Sequence, residues 1–189
     1  LQSSANLTDE EINHDLMVVM IASHRPMADW LGNTLRLMLT EPRFAMSLAG
    51  GRSSVGQALN EVLWEETPTQ NNFGRWATRN VQLGGQNIQA GDLLVIGLAA
   101  ANSDPLVRPN PHELPADNHA QLSFSHGEHK CPYPAEEIAD VIVRAAVEVL
   151  LDRLPDVALA VHPSQLEWRS SVWMRSLDAL PVEFTPTVG

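Results

Sequence analysis

The chain is poor in the features that mark secreted, membrane-spanning or nucleic-acid-binding proteins. Only one of its 189 residues is cysteine, Cys131, so an internal disulfide is excluded and a reducing, cytoplasmic setting is expected. Basic residues are scarce: 12 Lys and Arg stand against 23 Asp and Glu, a formal net charge of -11. That balance argues against nucleic acid or an acidic membrane surface as a partner and leaves room for a basic one. No basic-then-apolar leader and no run of roughly 18 apolar residues occurs, so neither export nor a membrane span is indicated. Internal repeats and low-complexity tracts are missing too. What is present is a single globular domain over residues 1–189, long enough to bury a core.

Hydrophobic spacing predicts a mainly α fold with small β-sheets (α+β). Thr8-Asp9-Glu10-Glu11 reads as a capping box. Behind it, Ile12, Leu16, Val19, Met20, Met27, Trp30, Leu31, Leu35 and Met38 keep a helical period to Thr40. Pro26 deletes one N–H inside that helix and clashes with the carbonyl of Ala22, at about 3 kcal/mol, so an interruption is expected there. A short helix from Glu41-Pro42 through Leu48 follows, then one capped by Ser54 and running through Trp64. Short strands are expected at Val81-Gln82-Leu83, Ile88 and Leu93 to Leu98 around a Gly84-Gly85 turn, with an irregular segment from Pro105 to Gln121. A helix over Ile138–Leu154 and edge strands at Val157–Val161 and Pro181–Phe184 complete the reading.

The chemistry concentrates in Phe124-Ser125-His126-Gly127-Glu128-His129-Lys130-Cys131, a tight-turn sequence leading into the apolar last helix. Helix N-termini carry unpaired N–H groups and about half a positive charge, so a cysteine at that position has its thiolate favoured. Soft thiolates bind iron or zinc. Gly127 permits a sharp reversal or the approach of a flat ligand, Phe124 can pack a ring against that ligand, and His129 with Lys130 can meet anionic groups on its rim. Two other readings stay open at this level. Cys131 can be a small buried hydrophobe. It can also join His126 and His129 on zinc, although that spacing matches no common finger and lacks a fourth ligand.

The order Phe-x-x-Gly-x-His-x-Cys resembles the cysteine-ligand loop of the haem-thiolate monooxygenases, the cytochrome P-450 superfamily, and companions stand upstream in the family's order. Glu61-Val62-Leu63-Trp64 is similar to its Glu-x-x-Arg helix, and Arg75-Trp76-Ala77-Thr78 to its Arg-x-Ala-x strand. Ala100-Ala101-Asn102-Ser103-Asp104-Pro105 is similar to its Ala-Asn-Arg-Asp-Pro. The resemblance runs from Thr8 to Phe184 and implies the C-terminal part of that fold, from central helix through cysteine loop to last helix. It implies haem b (iron protoporphyrin IX) with its iron on Cys131 and with Ala22, Arg75, Phe124, Gly127 and His129 around it; Arg75 and His129 would hold the propionates. It also implies a small-molecule substrate, of unknown identity, and a ferredoxin-type electron donor. Members of the family are about twice as long, and this sequence opens on Leu1-Gln2 without methionine, so a piece of a longer protein is expected, its apolar face pairing with the missing half or with a second copy.

Three departures qualify the resemblance. Ala22-Ser23-His24-Arg25-Pro26 replaces Ala-Gly-x-Glu/Asp-Thr, so the usual proton relay is gone and Ser23 or His24 are the distal candidates. Trp64 replaces the arginine of Glu-x-x-Arg, as in an actinobacterial branch of the family, so Glu61 needs a donor such as Arg75, Arg79 or Arg108, or must sit in water. After the cysteine, Pro132 and Pro134 lack N–H groups, leaving only Tyr133 of Pro132-Tyr133-Pro134 to donate to the sulfur. The expectations are therefore a monooxygenase, a peroxide-using or catalytically silent haem protein, or a haem-free interaction module.

Overall fold

A computed structural model describes residues 7–42, 44, 52–108 and 118–186. Helix α1 (Asp9–Thr40) starts where the sequence signals it: Thr8 Oγ1 accepts the Glu11 N–H at 3.3 Å while Glu11 Oε2 accepts the Thr8 N–H at 2.8 Å. Those bonds hold the Glu11 carboxyl below the usual carboxylate range. The helix continues through Pro26 rather than breaking there. Across the proline's turn Arg25 Nε donates to Asp29 Oδ2 at 2.9 Å, and the following turns are fixed by burial of Trp30, Leu37 and Met38, so packing overrides the local penalty.

Helix α2 (Arg52–Glu65) begins two residues before the expected cap, so Ser54 lies inside it. Most of the short helix expected through Leu48 lies outside the described residues; Pro42 and Phe44 are helical. A five-residue helix α3 (Leu98–Asn102) takes over where a strand was expected to end, and α4 (Ala135–Arg153) starts three residues earlier than Ile138. The core forms where α1, α2 and α4 meet. Trp30, Leu37 and Met38 interlock there with Ala58, Leu59, Val62, Ala139, Val143 and Val147.

Three antiparallel strand pairs flank the helices. After strand β1 (Asn71–Trp76), β2 (Val81–Leu83) and β3 (Gln86–Ile88) form the expected hairpin. Its turn residues Gly84 and Gly85 have φ of 56° and 77°, the left-handed pair that a two-residue hairpin demands. Strand β4 (Leu93–Gly97) sets Asn72 opposite Ile96 and Arg75 opposite Leu94, so β1 carries one extra residue, at Gly74 with φ 86°. This bulge sits immediately before Arg75. Near the end, β5 (Ala158–Leu159) pairs with β6 (Val182–Glu183) inside the two expected edge segments.

Apolar stretches of α1 and α4 stand in solvent. Leu16 through Ile21 are 45–69% exposed on every side of α1, and Ile138, Val141, Ile142 and Val149 line the outer face of α4. A helix that is apolar all round is built to be covered. Among the described residues no helix is long and apolar enough to cross a membrane.

Candidate functional site

The cysteine loop is a sequence of short turns. Ser125 N–H donates to Leu122 O at 2.8 Å, a 3-10 turn spans Gly127–His129, and Cys131 N–H returns to Phe124 O at 3.0 Å. Gly127 adopts φ 73°, which disfavours any side chain, and no atom lies within 4 Å of where its Cβ would stand. The loop therefore presents bare backbone with open space before it.

Cys131 is not in the first turn of a helix. It precedes α4 by four residues, and the helix begins beyond Pro134 without a side-chain cap. Burial and the Glu136 carboxylate push the Cys131 thiol up, against the expected thiolate, because neither effect favours a new negative charge. The Tyr133 side chain stands in solvent at 84% exposure.

Cys131 does share a small cavity of about 90 Å³ with Phe124, Pro26, Trp30, Pro68 and Thr69. Trp30 and Phe124 meet edge to face, ring centres 6.2 Å apart, and Trp30 Nε1 is anchored on Leu59 O at 3.1 Å. So α1 forms one wall, the cysteine loop the opposite one, and Pro26 faces the space between. Of the expected cofactor residues, Phe124 and Cys131 are brought together here; Ala22, Arg75, Gly127 and His129 are not among the lining residues. Ala22 and His24 are exposed, and the Ser23 hydroxyl donates back to Met20 O at 3.4 Å. The Arg75 guanidinium reaches only Gly74 O, at 3.3 Å, and makes no ion pair among the described residues. His126, His129 and Cys131 do not converge: among the described residues no group of three His, Cys, Asp or Glu could hold a metal, so the zinc arrangement is not formed.

Two supports of the loop are absent from the sequence reading. Asn102, quoted within a motif without a role, is 1% exposed and joins two elements: Nδ2 donates to Leu63 O of α2 at 3.0 Å and Oδ1 accepts the Leu122 N–H at 2.8 Å. Trp64 is 2% exposed, and its Nε1 donates to Asn118 O at 3.0 Å. Arg108, one of the donors expected for Glu61, is paired with Glu65 and lies over the Trp64 ring, 5.7 Å from its centre. An asparagine beside apolar residues in a short helix and a tryptophan at a charged motif position are the signals that could have found them.

Comparison with known proteins places this geometry. No family model matches the chain. Cytochrome P450 monooxygenase PikC of Streptomyces venezuelae is 31% identical over 185 residues, covering 97% of this chain and 44% of that protein. A vitamin D(3) 25-hydroxylase of Pseudonocardia autotrophica is 32% identical over 182 residues, covering 95% of this chain and 45% of that protein. The structure of the Bacillus subtilis bacillaene polyketide synthase cytochrome P450 PksS superposes with a TM-score of 0.85 at 28% identity, over 97% of this chain and 47% of that one. The chain belongs to the cytochrome P450 superfamily. It spans about half the length of the curated relatives it matches.

The family implies haem, and the residues present fit one in kind. A sulfur donor faces an apolar space, a loop with bare backbone adjoins it, and Arg75 is a cation without a carboxylate among the described residues. The cavity encloses only the neighbourhood of the sulfur, being smaller than the roughly 300–1,000 Å³ of ligand pockets.

Proposed function

We propose that the chain is the cysteine-bearing half of a cytochrome P450 monooxygenase and that Cys131 Sγ ligates haem b. The observation that supports this reading is the shared cavity, in which the only thiol of the chain faces Pro26 and Trp30 of the long helix across an apolar gap. A thiolate-ligated haem supplies the oxygen-activating centre when bound. Around it, Cys131 gives up a proton that burial and Glu136 now hold, so uptake of the cofactor releases a proton and tightens as pH rises. Phe124 would pack on the ring, Gly127 would let the backbone approach, and Arg75 with His129 would hold the propionates. With Arg25 drawn to Asp29 and Ser176, Ser23 and His24 are the candidates left on that turn for passing a proton through water. Electrons come from a ferredoxin-type donor. The apolar first half of α1 is covered by the remainder of the fold or by a second copy.

The held proton and the small cavity favour the haem-free interaction module as a second reading. One spectrum separates the two. Full-length protein supplied with haem, reduced and exposed to carbon monoxide should give a thiolate-type Soret band that Cys131→Ala abolishes. No band in the parent selects the module; a band surviving in the variant places the iron on another residue. Turnover with a ferredoxin system against hydrogen peroxide then distinguishes oxygen activation from peroxide use.

A further inference from the structure

We infer that Trp64 and Arg108 form a clasp that replaces the missing helix arginine and sets the position of the Cys131 loop. The departure at residue 64 leaves α2 without its guanidinium, yet Trp64 is among the most buried side chains of that helix. Its indole N–H does what a guanidinium N–H would do, donating to a backbone carbonyl of the segment that leads to the cysteine, Asn118 O at 3.0 Å. The same carbonyl accepts Asn60 Nδ2 at 2.8 Å, so two donors one helical turn apart hold one acceptor. Arg108 enters from the segment after α3. Its guanidinium pairs with Glu65 and covers the Trp64 ring, while the residue is only 7% exposed. The positive charge that the helix lacks is thus returned from another part of the chain, where the low exposure strengthens both the charge pair and the cation–π contact.

From Asn118 the hold passes along the backbone to the sulfur. Asn118 Oδ1 accepts the Ala120 N–H at 3.0 Å, and Leu122 N–H donates to Asn102 at 2.8 Å. Ser123 Oγ donates to Leu63 O at 2.9 Å, and Phe124 O accepts the Cys131 N–H at 3.0 Å. The contacts in this run are made to Asn60, Leu63 and Trp64 of α2, to Asn102 of α3, or within the loop itself. Trp64 and Arg108 are accordingly positioning residues: they touch neither cavity nor sulfur, and they act through Asn118 and Phe124.

The inference deepens the proposed reading, on which it rests for the meaning of Cys131, but its first test needs no haem. In the full chain without cofactor, deuterium labelling of the Leu122 and Cys131 amides, whose N–H groups are bonded to Asn102 and Phe124, reports how often the loop opens. Trp64→Phe keeps the ring and removes the indole donor; Arg108→Ala removes the charge. Each should raise the labelling rate about five-fold under native conditions, the factor for one net hydrogen bond. The double variant should add little to the larger single effect, because both act on one clasp. Arg108→Lys should recover part of the effect, and Arg169→Ala, whose partner Asp178 lies outside the clasp, should change nothing. Labelling unchanged in folded Trp64→Phe and Arg108→Ala proteins, or fully additive effects, overturns the inference. Haem loading read in parallel keeps the two ideas apart: a labelling response without any haem spectrum sinks only the haem reading, and a normal haem spectrum with flat labelling sinks only the clasp.

Discussion

Asn102 offers the sharpest quantitative test of how the cysteine loop is held. Its amide is a two-way connector, donating to Leu63 O at 3.0 Å and accepting Leu122 N–H at 2.8 Å, with 1% of its surface exposed. In Asn102→Ala the Leu63 carbonyl keeps the Ser123 hydroxyl as a donor, so it is not orphaned. The Leu122 N–H does lose its acceptor, a penalty of about 1–3 kcal/mol, and the missing amide leaves a small void adding about 1 kcal/mol. A loss of about 2–4 kcal/mol in chemical denaturation is expected. Asn102→Asp has nearly the same shape but the opposite chemistry at one atom, since it keeps the acceptor for Leu122 while turning an oxygen toward the Leu63 carbonyl. Ionised, it should be worse than alanine. Protonated, its hydroxyl can donate to Leu63 O and restore both bonds. The folded-state pKa of the introduced carboxyl is raised, so its stabilisation is complete below the unfolded value and lost as pH climbs through the folded one. Denaturation curves at about pH 5 and about pH 8 should therefore cross, with Asn102→Asp above Asn102→Ala in acid and below it in base. If the two variants track each other at both pH values, or if alanine loses less than about 1 kcal/mol, the connector role is refuted.

Other outcomes follow from the same geometry. Gly56→Ala places a Cβ 2.4 Å from Arg144 Nη1, but the obstacle is the far end of a flexible side chain. Its displacement forfeits the half-exposed pair with Asp140, about 0.3–0.5 kcal/mol, against a helix-propensity gain of about 0.5–1 kcal/mol. A neutral to slightly stabilised protein is expected, and a loss beyond about 1.5 kcal/mol would mean that Arg144 cannot move. Burial pushes the Asp29 carboxyl up even though Arg25 pulls the other way. Raised folded-state affinity for the proton means that the parent gains stability relative to Asp29→Asn as pH falls through the folded value toward 3.8, and loses that advantage as pH rises. A difference in Tm between the two proteins that stays constant from neutral to acid would contradict this sign.

The elements with local causes were legible in advance. The Thr8 capping box, the Gly84-Gly85 hairpin and the paired edge strands are decided by neighbouring residues, and each lies where the pattern puts it. Boundaries moved where packing outweighed propensity. Pro26 stays helical because the turns beyond it are buried, and α4 starts early because Pro134 can sit at its cap position. In the site, Cys131 N–H bonds to Phe124 O and both residues line one cavity, a contact that spans only the loop between them. The thiol holds its proton more tightly than a helix terminus would suggest, because the sequence says nothing of the walls supplied by α1 or of the distance to Glu136.

Composition and motif order alone determined the kind of fold and which residue carries the sulfur, because those depend on short-range pattern and on residue type. The answer to a missing arginine came only from the tertiary structure. Trp64 and Arg108 are 44 positions apart by their numbering, and no local rule joins them; their partnership exists because folding brings the segment after α3 against the end of α2, where burial makes each need the other.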